Sequence, residues 1–147
     1  MRVFLALAIA GCSSSSDAVF PADTAVVDLT MVGGLAPAPG PGSTCAAIDD
    51  EYTYSLADHH LGWKSCQSPS IGGTYNFVHG ETTLSDADHG ALVDALHALG
   101  PAKPPCGGDI TETFQFAALS GTTVYGQASC MPGASDVAEL LRSAAGI

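Results

Sequence analysis

The chain has 147 residues and carries 15 acidic against 4 basic side chains, for a formal net charge of -11. That balance excludes nucleic-acid binding, which needs a basic face to neutralise phosphates, and peripheral attraction to anionic lipid. Hydrophobic residues make up 46% of the chain, enough for one folded domain with a core of its own.

The first element is not part of that domain. Arg2 precedes an apolar run from Val3 to Ala10. A run of this length is too short for a transmembrane helix, which needs about 20 apolar residues, and fits the hydrophobic region of a secretory signal. It ends in Ile9-Ala10-Gly11-Cys12, which resembles the lipobox of bacterial lipoproteins. The resemblance implies a diacylglyceryl group on the Cys12 thiol, cleavage just before it, and acylation of the new amine. A single acyl chain holds a protein only marginally, whereas several make a lasting anchor. Ser13 stands where inner-membrane retention in enterobacteria uses Asp, so the resemblance points to the outer membrane, on its periplasmic or surface face. Ser13 to Ser16 read as a flexible spacer. The expected organisation is a signal peptide over 1–11, lipidated Cys12 and a tether over 12–22, and a single domain over 23–147.

Within the domain, Thr24 to Val32 reads as a buried strand. Leu35 to Ser43 is dense in Pro, Gly and Ala and reads as a loop. A short second strand is expected at Cys45 to Ile48, then a solvated turn at Asp49-Asp50-Glu51. Tyr52 to Leu56 alternates, with Tyr52, Tyr54 and Leu56 on one face. Leu61 to Cys66 reads as the return strand, with Trp63 as a large core anchor. Thr74 to His79 alternates again through Tyr75 and Phe77. A helix is expected from Asp86 to Leu99, capped by Ser85, with acids in its first turn and Leu92, Val93, Leu96 and Leu99 on one face. Gly100-Pro101 should stop it. Two further strands follow, Ile110 to Ala118 and Thr122 to Cys130, joined by a hairpin at Ser120-Gly121. Ser135 should cap a last helix, Asp136 to Ala145, ended by Gly146. The order predicts an α+β fold, a mainly antiparallel sheet of about five to seven strands with two helices packed on one face.

With Cys12 lipidated, Cys45, Cys66, Cys106 and Cys130 remain, an even number that implies disulfides in an exported chain. Of the possible connectivities, Cys45–Cys66 and Cys106–Cys130 are expected, because each pair flanks neighbouring strands. Zinc fails on spacing, since no two of these cysteines lie two to four residues apart.

The 5 histidines are His59, His60, His79, His89 and His97. His89 and His97 lie about 12 Å apart along the expected helix, too far to share one zinc unaided, and there is no His-Glu-x-x-His signature. No metal and no cofactor are expected. Asp86-Ala87-Asp88 starts like a calcium loop, but Gly90, Ala91 and His97 fall where that loop needs Asp or Asn, Gly and Glu. No Gly-x-Ser-x-Gly elbow and no Gly-rich phosphate loop are present.

The run Gly33-Gly34-Leu35-Ala36 after a strand, followed by a short strand and an acidic turn, is similar to the opening of emfourin-type protein inhibitors of metalloproteases. Leu35 replaces that family's aromatic residue and Pro37 its last glycine. The resemblance implies protease inhibition through an exposed loop. The leading expectation is a non-enzymatic lipoprotein module. It would be tethered to the membrane by its lipid and would bind a protein or envelope component, with Leu35, Ala36, Pro37 and Trp63 as the candidate binding region. Inhibition of extracellular proteases is the alternative.

Overall fold

A computed structural model describes residues 18–33, 40–45, 48–68, 70 and 73–147. In chain order these form β1 (Thr24–Gly33), β2 (Ile48–Ser55), β3 (His60–Gln67), β4 (Asn76–Thr83), α1 (Asp86–His97), β5 (Ile110–Ala118), β6 (Gly121–Gly126) and α2 (Ala134–Ala145). A short 3-10 turn, Ala128–Cys130, precedes α2. The fold is α+β, as expected: six strands in one antiparallel sheet, ordered β4-β3-β2-β1-β5-β6.

The alternation in β1 explains its central place. Val27, Leu29 and Met31 are buried on one face while Val26, Asp28 and Thr30 point to the other, as period two demands. The registers line up core rows across the sheet. One row runs Trp63, Tyr52, Leu29, Phe114, Tyr125, and the next Leu61, Tyr54, Val27, Phe116, Thr123. Tyr52, Tyr54, Phe114 and Phe116 are fully buried. Each such side chain contributes roughly 1.5–3 kcal/mol by leaving water. After β4 the chain returns through α1 to the far side of β1. Leu92 and Leu96 of α1 and Val137 and Leu141 of α2 close the core over this one face. Ser85 caps α1 as expected: its Oγ accepts from the Asp88 amide at 3.2 Å and donates to the Asp88 carboxylate at 2.6 Å.

Cys45 pairs with Cys66 (Cα–Cα 5.9 Å) and Cys106 with Cys130 (Cα–Cα 5.5 Å). The first bridge ties the 40–45 segment to β3. That segment also bonds alongside the start of β4, through Gly40 N to Gly73 O and Thr44 N to Tyr75 O, each at 2.9 Å. It thereby covers part of an edge strand that would otherwise expose unpaired backbone.

Several local expectations are overturned. Asp49-Asp50-Glu51 is not a turn; it lies inside β2, which begins at Ile48 and not at Cys45. Asp50 shares the inward parity of Tyr52 and Tyr54, and its charge is balanced by Arg142, 92 positions away. β4 continues past His79 to Thr83. The last hairpin turns at Leu119-Ser120, and Gly121 already pairs with Ala118. β6 stops at Gly126, because Gln127 adopts the left-handed backbone (φ 58°) and the chain turns into the 3-10 segment. α1 ends at His97 with Ala98 as its cap, and a Cβ at Gly100 would lie 3.3 Å from the Pro132 ring. α2 starts at Ala134 after left-handed Gly133 (φ 86°), so Ser135 is inside the helix and does not cap it. Upstream of β1, Val19 and Phe20 are also buried in the core.

Candidate functional site

Of the sequence-predicted site residues, Cys12 and the loop residues Leu35, Ala36 and Pro37 lie outside the described residues. Trp63 lies in the expected return strand, mid-β3 on the core side, half-buried, with Gly80 of β4 beneath its ring. A Cβ at Gly80 would come within 2.7 Å of that ring.

The structure instead brings together two polar clusters. In the first, Asp50 of β2 accepts from Ser65 Oγ at 2.6 Å and from Arg142 Nη2 at 3.2 Å. Met31 Sδ lies 4.0 Å from the same guanidinium nitrogen. The adjacent Tyr52 hydroxyl is buried with no hydrogen-bond partner among the described residues. Burial, and then the Asp50 charge, push the Tyr52 phenol above its usual range. Burial likewise raises the Glu112 carboxyl on β5, against the pull of Arg142. Burial works against the Arg142 charge, but Tyr52 and Asp50 outweigh it and hold the guanidinium protonated. A cleft of about 440 Å³ opens beside Glu112, lined otherwise by the Ser129–Gly133 turn and Ser135.

The second cluster joins the β2–β3 turn to the start of α1. Tyr54 OH and His89 Nδ1 are 2.7 Å apart, and His89 stacks face to face on His59 with centroids 3.7 Å apart. Asp86 lies 3.6 Å from His59 Nδ1. Burial, helped by Asp58, pushes the Tyr54 phenol up to about 12. His59 holds a left-handed backbone (φ 56°), and its carbonyl accepts from Leu84 N at 2.9 Å. The other histidines lie apart: His60 is 3.5 Å from Glu81, His97 packs edge-on against Phe20, and His79 is exposed on β4. Among the described residues no group of three His, Cys, Asp or Glu side chains could hold a metal ion. Nor does any Ser, Thr or Cys among them hydrogen-bond a histidine; the one hydroxyl that does is the Tyr54 phenol.

The sheet face away from the helices carries a further set of polar side chains. Its inter-strand rows place Gln115, Asp28, Thr53, Gly62 and Glu81 side by side, and next to them Thr113, Thr30, Glu51, Lys64 and His79. Thr53 Oγ1 donates to Asp28 at 2.6 Å. Lys64 is already engaged, 3.1 Å from Glu51 and 4.0 Å over the Phe77 ring. At Gly62 a Cβ would meet nothing within 4 Å, which leaves a shallow gap between Thr53 and Glu81. With Asp49 beside Val32, the face carries Asp28, Asp49, Glu51 and Glu81 against one lysine. Sequence reasoning missed this face because it placed Asp49 and Glu51 in a turn; their outward parity, opposite to Tyr52 and Tyr54, was the available signal.

Comparison with known proteins finds no matching family model, no matching curated protein and no matching solved structure. Among the described residues no helix is long and apolar enough to cross a membrane.

Proposed function

We propose that this chain is a non-enzymatic binding module of the bacterial envelope, held at the outer membrane by acylated Cys12, that receives a cationic protein partner on its helix-free sheet face. The observation that carries the reading is the charge of that face: with Glu51 paired to Lys64, Asp28, Asp49 and Glu81 remain in excess around a threonine-rich centre. Complementary charge steers encounter and sets register more than it adds affinity. The Gly62 gap gives a long basic side chain room to lie against the sheet.

The test is a titration of the full chain with an oligolysine peptide and a Ser/Gly peptide of equal length, followed by amide chemical shifts. Shifts at Thr30, Thr53, Gly62 and Glu81 with oligolysine alone are expected, and D28N/E81Q should weaken binding and flatten its salt dependence. Shifts confined to other surfaces, or equal binding of the uncharged peptide, would overturn the reading.

A further inference from the structure

The geometry points to the β5–β6 hairpin tip as a second contact with the lipid surface, with Leu119 entering the bilayer interface beside the acyl anchor. The inference rests on the lipidation of Cys12 proposed above. Thr24 pairs with Ala118, so β1 begins where β5 ends. Upstream of it, Val19 O accepts from Tyr125 OH at 3.1 Å, and the Phe20 ring lies edge-on to Phe116 with centroids 5.3 Å apart. The chain therefore enters the domain against the β5–β6 hairpin. The residue steps from Cys12 to Val19 span at most about 25 Å. A domain of this size is about 35 Å across, so the tether is too short to let the opposite end face the lipid freely. That opposite end carries both disulfides and the Gly33–Ile110 pair.

Composition agrees with this placement. In a chain of net charge -11, no charged side chain occurs between Glu112 and Asp136. The hairpin inside that interval carries Leu119, wholly exposed at its tip, and Val124, 58% exposed on β6. An uncharged hairpin with a protruding leucine fits the headgroup boundary, where an apolar side chain gains and a carboxylate loses. Asp23, exposed at the start of β1, limits the insertion to the tip.

The experiment uses the full lipidated chain, purified from bacterial membranes and reconstituted on phosphatidylethanolamine/phosphatidylcholine vesicles with or without brominated acyl chains. Vesicle flotation is measured first, then the emission of L119W against the parent, whose single tryptophan is Trp63. Flotation together with bromine quenching of L119W, and no quenching of the parent, is the expected result. Flotation without quenching of L119W would overturn the hairpin contact and leave the anchor standing. Failure of the parent chain to float would overturn the anchor, and the hairpin contact with it.

Discussion

Arg142, near the end of α2, holds Asp50 in the middle of β2 at 3.2 Å and so locks the last helix onto the sheet. Asp50 is 6% exposed, and its other oxygen is taken by Ser65. Removing one partner of such a pair strands the other charge away from water. R142M should cost about 2–3 kcal/mol, below the fully buried range because the guanidinium is 41% exposed. D50N keeps an acceptor for Ser65 and should cost about 1–2 kcal/mol. The double variant should lose less than the sum, since neither charge is then left alone. Urea titrations of the four proteins measure this coupling.

Tyr54 makes the fold sensitive to alkali. Its folded-state pKa stands at about 12, above the ordinary 10.0, because burial and then Asp58 oppose the phenolate. The unfolded chain thus releases this proton first. The stability contributed by keeping the phenol neutral is complete below pH 10 and disappears as pH rises through the interval from 10 to 12. Each such group adds a slope of about 1.4 kcal/mol per pH unit there. Tyr52, raised in the same direction, steepens the fall. Alkaline unfolding followed by circular dichroism should coincide with tyrosine ionisation at 295 nm, and Y54F should reduce the slope. It should also cost about 1 kcal/mol at neutral pH through the lost bond to His89.

Gly80 is required by Trp63. A methyl group there would sit 2.7 Å from the indole ring, closer than carbon contacts allow. G80A must therefore tilt the ring or part β3 from β4, at about 1–3 kcal/mol. Trp63 is the only tryptophan, so its emission reads the displacement directly. A red shift with retained secondary structure is the expected outcome.

Cys45–Cys66 and Cys106–Cys130 close loops of 21 and 24 residues in sequence separation. Each restricts the unfolded chain by about 3 kcal/mol in the loop-entropy account. Reducing both should lower the urea midpoint substantially, with the helical signal kept in the absence of denaturant because the aromatic core does not depend on them. The paired variants C45A/C66A and C106A/C130A, measured separately, should show losses of similar size.

Local pattern carried much of this fold. β1, α1 and β5 were legible because alternation or helical spacing ran unbroken through them and Ser85 supplied its cap. Asp50 was misread because a carboxylate in a strand opposes local propensity, and its compensation comes from Arg142, 92 positions later. Gln127 and Gly133 both take left-handed backbones: Pro132-Gly133 was an available turn signal for the second, whereas nothing local marks the non-glycine Gln127. The Tyr54–His89–His59 cluster joins residues 35 and 30 positions apart in one contact. Each of these residues was visible alone, but their meeting is a property of the sheet order.

His59 isolates backbone strain from side-chain contact. At φ 56° it occupies a conformation that costs a non-glycine residue about 1 kcal/mol, while its ring stacks on His89 and faces Asp86. H59A keeps the strain and loses the stack; H59G loses both. H59A should therefore be less stable than H59G by about 1 kcal/mol, the reverse of the order found where Gly and Ala are compared in a regular helix. A β-branched residue at this position, H59V, should be worse than either, since its crowded Cβ is least compatible with the left-handed turn. Thermal denaturation of the three variants against the parent gives the ranking. H59G below H59A would show that the stack and the Leu84 bond impose no backbone strain.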